Sequence, residues 1–256
     1  MATIFVTGSS DGIGQETARQ LAGGGHRVIL HARDESRAKD AAAAVPDAVG
    51  VATGDLSLLA GIKDAAATAN ALGPYDAVIH NAGVGAHTVR RSTADGCEHI
   101  FAVNVLAPYL LTALMPLPSR LIYLTSGLEA AGRPNLADLQ WESRTWDGMQ
   151  AYCDSKLYDV LLAFAVAGRY PQVRSNAVDP GWIKTKLGGP GATDDLPVGA
   201  ATQVWLAVGD DPEATGTGRY FKWRNELRAN PEAYDTKLQD ALLTACADIS
   251  GARLPD

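Results

Sequence analysis

The chain has 256 residues, 46% of them apolar, and a formal charge of −7 with no long run of either sign. That is ample for one buried core, and the scattered charge excludes nucleic acid as the main partner, because phosphate contacts need clustered lysine and arginine. Cys97, Cys153 and Cys246 are far apart, giving neither a zinc spacing nor an even disulfide framework, so a cytoplasmic location is expected.

The opening MATIFVTGSS has no basic segment followed by a long apolar one, so it reads as entering the fold and not as a signal peptide. TIFVT (3–7) is the first of six short β-branched or apolar runs, followed by RVIL (27–30), AVGVA (48–52), DAVIH (76–80), RLIYLT (120–125) and VRSNAV (173–178). Alanine-rich segments of helical periodicity lie between them. This alternation predicts an α/β fold, a doubly wound parallel sheet with helices on both faces. No linker or repeat divides the chain, so residues 1–256 are expected to form a single domain. Abundant alanine and an excess of arginine over lysine suggest a GC-rich bacterial genome.

Between the first strand and its helix stands TGSSDGIG, Thr7 to Gly14. Glycines there let the backbone pass close to a pyrophosphate, whose charge the helix N-terminus stabilises. An ordinary tight turn also accounts for glycine, but the place after a first strand favours dinucleotide binding. No Gly-Lys-Ser/Thr follows, which excludes a Walker-type loop. The second strand ends in VILHARD, with Ala32 where an acidic residue would accept hydrogen bonds from a ribose, and Arg33 next to it. Asp34 is the alternative acidic residue, though an aspartate opening a helix is more simply an N-cap.

Two segments interrupt the rhythm after strands. Residues 127–148 form an insertion rich in turn residues and tryptophan, and residues 186–199 a Gly/Pro-rich substrate loop. Trp141, Trp146, Met149 and Trp182 either line an apolar mouth or pack the insertion onto the body. Between the two segments, QAYCDSK places Tyr152 and Lys156 four residues apart, on one helix face. That spacing is common by chance, and it also suits catalysis: a phenol is a poor acid near neutrality, and a neighbouring ammonium favours the phenolate. LYDVLLAFAVAG (157–168) is broken by Asp159 and too short to cross a bilayer. With FAVNVLAPYLLTALM (101–115) it is apolar on more than one face, so either a homo-oligomer interface or the insertion must cover these helices. The tail NPEAYDTKLQDALLTACADIS (230–250) reads as one amphipathic helix. The five histidines show no ligand pair, so no catalytic metal is expected. Ser126 lacks the Gly-x-Ser-x-Gly context of a hydrolase.

Taken together and in order, these motifs resemble the short-chain dehydrogenase/reductase family over nearly the whole chain. Gly8, Gly12 and Gly14 match T-G-x-x-x-G-x-G, with Ser10, Asp11 and Ile13 between them. Asp55 and Leu56 of GDLS fall where the family contacts adenine. HNAG supplies Asn81, Ala82 and Gly83 of N-N-A-G, with His80 as a departure. Asn104, Ser126, Tyr152 and Lys156 match the catalytic set, and Pro180, Gly181, Ile183 and Thr185 lie in P-G-x-x-x-T. The resemblance implies a Rossmann-type fold and reduction of a small hydrophobic ketone or aldehyde, or oxidation of the alcohol. In that reading Tyr152 is the general acid/base, Lys156 also binds the nicotinamide ribose, Ser126 orients the carbonyl, and Asn104 holds a water that connects Lys156 to solvent. The wide gap between Ser126 and Tyr152, with ADLQW inside it and GRYF near the end, is similar to the retinol-dehydrogenase-like and carbonyl reductase subset. Arg33 favours NADP(H) over NAD(H). A non-catalytic NADP(H)-binding sensor is the alternative, against which the retained catalytic set weighs. An epimerase or dehydratase has little chain left after Tyr220 for a substrate domain.

Overall fold

The computed structural model describes residues 1–255. The six apolar runs form β1 (Thr3–Val6), β2 (Arg27–Ala32), β3 (Gly50–Thr53), β4 (Ala77–His80), β5 (Arg120–Leu124) and β6 (Arg174–Asp179). Successive strand residues point to opposite faces, and both faces are buried. Phe5, Ile29 and Val78 belong to one apolar cluster, while Ile4, Val6, Leu30 and Ile79 belong to another. The strands are continuously apolar for that reason.

Two further strands, β7 (Arg219–Lys222) and β8 (Asn225–Leu227), extend the sheet to the order β3-β2-β1-β4-β5-β6-β7-β8. All pairings are parallel except β7 with β8. The six-strand expectation is therefore short by a hairpin. Its two turn residues, Trp223 (φ 51°) and Arg224 (φ 61°), both adopt the left-handed conformation that such turns require. That conformation is normally supplied by glycine or asparagine, so no sequence signal marked the turn.

One face carries α1 (Gly12–Gly23), α2 (Glu35–Ala44) and α7 (Leu196–Val208), whose Ala18, Leu21, Ala41 and Leu206 join the Ile4 cluster. The other carries α3 (Leu59–Leu72), α5 (Ala107–Leu114), α6 (Gly148–Arg169) and α8 (Thr236–Ser250). A short α4 (His99–Phe101) runs into α5 through a π-helical turn, Ala102–Leu106. The result is a single-domain, doubly wound α/β fold.

From Cys153 to Ala167 every residue of α6 is buried. The start of the insertion, a 3₁₀ turn at Gly127–Ala131, packs on it, and Gly132 is required there because a Cβ would come within 2.6 Å of the Leu157 Cβ. The sequence offered the insertion or a second subunit as cover, and the structure adds a third element. Helix α8 lies along α6 and touches α5. The Tyr109 hydroxyl donates to the Ala252 carbonyl (2.9 Å) and the Tyr170 hydroxyl to that of Pro255. The tail is not one helix as expected: Pro231–Tyr234 forms a 3₁₀ turn, and Asp235 then caps α8 by accepting from Lys237 N–H (2.9 Å). Among the described residues no helix is long and apolar enough to cross a membrane.

Leu242 is fully buried where α8 meets this core. Leu242→Ala should lower the unfolding free energy by about 2–5 kcal/mol, read from urea denaturation at unchanged m-value. A loss well under 1 kcal/mol would show that α8 covers the core only loosely.

Candidate active site

Strands β1 and β4 are neighbours, but the chain leaves β1 toward β2 on one side and β4 toward β5 on the other. The carboxyl ends of these two strands are thus a topological switch point, the usual ligand position in such sheets. The glycine turn follows β1 there. The Thr7 hydroxyl accepts from the N–H groups of Asn81 (2.9 Å) and Ala82 (3.0 Å), and the Asn81 amide donates to the carbonyls of Thr7 (2.9 Å) and Gly8 (3.2 Å). The approach leaves no room for side chains. A Cβ on Gly8 (φ 61°) would stand 2.8 Å from Ala82 Cα, and one on Gly14 2.3 Å from Asn81 Nδ2. Ser10 accepts from Gln15 Nε2 at its carbonyl (3.2 Å), and the partly buried Ile13 packs against the Ile4 cluster. Asp11 caps α1 through Gly12 N–H (2.8 Å). Its carboxylate also accepts from Lys186 and lies 3.8 Å from Arg37. The Lys186 hydrogen bond is the main reason its carboxyl is held below the usual range. Thr185 Cγ2 reaches within 3.4 Å of a Gly12 Cβ position, so the Pro180–Thr185 element lies against the turn. Gly181 (φ 101°) donates its N–H to Asp179 (2.9 Å), and Ile183 is buried.

Sequence reasoning missed His31, which braces this turn. Its Nδ1 accepts the Gly8 N–H (3.1 Å), so the neutral ring carries its proton on Nε2 and donates to the Gly54 carbonyl (2.9 Å). A histidine inside a buried apolar strand was the available signal. Nearby, β2 ends at buried Ala32, as expected, and Arg33 is exposed with Nε 3.6 Å from Asp34. Asp34 is the N-cap of α2, accepting from Arg37 N–H (2.9 Å). Arg37 adds a second cation at this edge. The Asp55 carboxylate holds the Ser57 N–H (2.9 Å) and hydroxyl (2.8 Å), and Leu56 packs in the core.

Asn104 lies in the π-helical turn, a distortion that often occurs at functional sites. Its Oδ1 accepts from Val84 N–H (2.8 Å), and its Nδ2 donates to the Val84 carbonyl (3.1 Å) and to Ser155 Oγ (2.9 Å). It thus ties the loop after β4 to α6. A Cβ on Gly83 would stand 3.4 Å from Asn104 Oδ1 and 3.5 Å from Lys156 Nζ, so these three groups converge. Lys156 is 5% exposed, and its Nζ lies 5.9 Å from the centre of the Tyr152 ring. It donates to the Leu124 carbonyl (3.0 Å) and to Asp159 Oδ2 (2.8 Å). Burial disfavours the ammonium, but the Asp159 carboxylate and Tyr152 outweigh it, and the pKa is held above the usual lysine value. Ser126, half-buried and two residues past β5, caps the Gly127–Ala131 turn, with Oγ accepting from Leu128 N–H (3.3 Å).

The tryptophans divide between the two expected roles. Trp141 (φ 55°) is buried under the Arg144 guanidinium, 3.4 Å from its ring centre, and meets Trp146 edge-on at 5.4 Å. Trp146 Nε1 donates to the His87 carbonyl (3.1 Å). These two pack the insertion onto the body. Exposed apolar groups gather instead on loops past the strand ends: Leu128 after β5, Trp182 and Leu187 after β6, and Trp223 after β7, with Met149 at the start of α6. No cluster of three or more metal-ligating side chains occurs among the described residues.

A family model described as short chain dehydrogenase matches residues 2–119. The short-chain dehydrogenase chyC of Penicillium rubens is 42% identical, with 100% of each chain covered. Retinol dehydrogenase 13 of Homo sapiens is 32% identical over 99% of this chain and 86% of its own length. Among solved structures, an uncharacterised protein from Mycobacterium paratuberculosis superposes with a TM-score of 0.87 at 27% identity, covering 100% of this chain and 96% of that one. A blue fluorescent protein from a metagenomic library, in complex with NADPH, superposes with a TM-score of 0.70 at 25% identity, covering 86% and 95%.

Two buried histidines give the site an acid limit. Burial pushes His31 down to about 4 and His80 to about 3. Thr112 gives its proton to the Pro108 carbonyl (2.8 Å), so His80 Nε2–H donates to the Thr112 hydroxyl (3.1 Å). Because both folded values lie below the unfolded one, the unfolded chain takes up protons first. The stability that depends on these neutral rings is whole above about pH 6.5 and is lost as pH falls toward 4. Between pH 7.5 and 5, urea unfolding should show a loss on the order of 2 kcal/mol per ring, largely absent in a His31→Gln/His80→Gln variant. An equal loss in that variant would place the acid sensitivity elsewhere.

Proposed function

The chain belongs to the short-chain dehydrogenase/reductase family, and from that premise we propose that it is an NADP(H)-dependent oxidoreductase interconverting a small hydrophobic ketone or aldehyde and its alcohol. The observation that carries the reading is the buried Lys156, paired with Asp159 and set between Tyr152 and the Gly83–Asn104 side. The side-chain-free passage at Gly8 and Gly14, beside the N-terminus of α1, fits a dinucleotide pyrophosphate. When bound, the nicotinamide supplies or accepts the hydride.

The remaining work falls to this chain. Reduction of a carbonyl develops negative charge on its oxygen, which needs a hydrogen-bond donor and then a proton. Ser126 orients that oxygen and Tyr152 delivers the proton. The Lys156 ammonium favours the phenolate that remains and holds the ribose hydroxyls. Asn104 sets the loop after β4 against α6, which fixes Gly83 beside Lys156. Leu128, Met149, Trp182 and Leu187 offer the substrate an apolar surface. NADP(H) is favoured because Ala32 presents no carboxylate at the end of β2, and Arg33 and Arg37 are cations near that end whose planar donors suit a phosphate. One solved relative in complex with NADPH supports the same preference.

Tyr152→Phe should bind NADPH nearly as well as the wild type, by fluorescence titration, and lose about 10²–10⁴-fold in turnover of a carbonyl panel. Substantial retained turnover would remove Tyr152 from the proton-donor role. Lys156→Ala should weaken binding and turnover together.

Cofactor choice is tested by the ratio of kcat/KM for NADPH and NADH. Arg33→Ala should lower it, and Ala32→Asp should move it toward NADH by placing a carboxylate against the 2′-phosphate. A wild type that already prefers NADH, with NADPH use unchanged in Arg33→Ala, would overturn the assignment.

A further inference from the structure

Helix α6 carries a second buried ionisable group that the proposed chemistry leaves unused. Asp159 lies one turn beyond Lys156 and is 2% exposed, with Oδ2 2.8 Å from Nζ. The other acceptor for Nζ is the Leu124 carbonyl at the end of β5 (3.0 Å). One acceptor from the helix and one from the sheet fix the ammonium, and its third proton is left for the side where Gly83 and the Tyr152 ring stand.

Folding alone does not account for this carboxylate. Desolvating two charges costs about as much as their attraction returns, so a buried pair is commonly no better for stability than apolar side chains of similar volume. Its effect is on the charge state of Lys156. With a neutral residue at 159, the buried amine would keep one carbonyl acceptor and no counter-charge, and burial favours the uncharged form. The other titratable groups around the pair are Tyr152 on the same helix, Tyr123 of β5, which senses the Asp159 charge, and His80 of β4, whose ring lies 4.7 Å from that of Tyr123. None of these is a carboxylate, so Asp159 is the carboxylate counter-charge that Nζ contacts.

We infer that Asp159 is a positioning residue: its carboxylate keeps Lys156 an ammonium and holds it aimed at the Tyr152–Gly83 side, acting on the reaction without touching substrate or cofactor. The inference rests on the role proposed for Lys156. Burial raises the Asp159 carboxyl to about 6 against the pull of the Lys156 ammonium, so the anion is present at neutral pH and is lost in mild acid.

The test reads the lysine charge directly. Nitrogen-15 NMR of the lysine side chains in the full chain, with the Lys156 signal assigned by its absence in Lys156→Ala, follows Nζ through a pH titration without substrate or cofactor. Asp159→Asn keeps the size and an acceptor oxygen but removes the charge. Lys156 should then lose its proton at least about tenfold more readily, and the alkaline limb of the pH–rate profile for carbonyl reduction should move to lower pH, with Asp159→Glu restoring both in part. If the amide variant does not fold, Asp159→Leu is read in the same way. A Lys156 titration that superimposes on the wild type overturns the inference, whatever the enzyme reduces. The expected titration shift in a chain that turns over no carbonyl would support the charge relation and sink the reductase reading instead.

Discussion

The close passage of β1 and β4 at their carboxyl ends is the constraint on which the rest of the site depends. Parallel strands stop there with polar backbone groups unpaired, and the chain leaves in opposite directions, so something other than the sheet must close the gap. Thr7 and Asn81 close it, hydroxyl to backbone N–H and side-chain amide to carbonyl. The consequence runs across the molecule. Asn81 presses the next residues against the glycine turn, which brings Gly83 to Asn104 and Lys156, and Asn104 reaches Ser155 on α6. A substitution at Gly8 or Gly14 would therefore disturb α6 as well as the turn.

Electrostatically, the site places cations against carboxylates. Lys156 meets Asp159, Lys186 meets Asp11, and Lys222 donates to Asp179 (2.8 Å), which also holds Gly181 N–H. Glu129, buried just past Ser126, accepts from Asn230 N–H, and burial raises its carboxyl above the usual value. Pairing of this kind gives each loop a polar anchor.

The sheet was legible because burial on both faces leaves continuous apolar runs, and their ends were misjudged by only a residue or two, as where DAVIH became Ala77–His80. The Tyr152–Lys156 pair was legible through helical spacing, the glycine turn through its place after β1, and Asp34 as a cap through its position before a helix. What escaped is decided by partners that the local pattern does not name. The β7–β8 turn uses tryptophan and arginine in a glycine conformation. His31 and Asp159 act through partners 23 residues away and one helical turn away, respectively, inside segments that otherwise read as plain core. The cover over α6 is a long-range packing choice, and the amphipathic pattern of the tail did not say which face of the body it would meet.

The π-helical turn at Ala102–Leu106 can be understood as a matter of rotational phase. A helix advances about 100° per residue, and one extra residue in a turn rotates everything after it relative to everything before. Here that rotation lets one continuous helical segment serve two clients: Asn104 faces the loop after β4 and Ser155, while Leu106, Leu110 and Leu111 face the core beneath α3 and α6. Removing a single residue from the turn would restore regular winding and cost one of the two alignments. The sequence of this stretch is thus constrained in length as tightly as in composition, since substitutions change one contact at a time whereas a deletion shifts the register of either the site or the core.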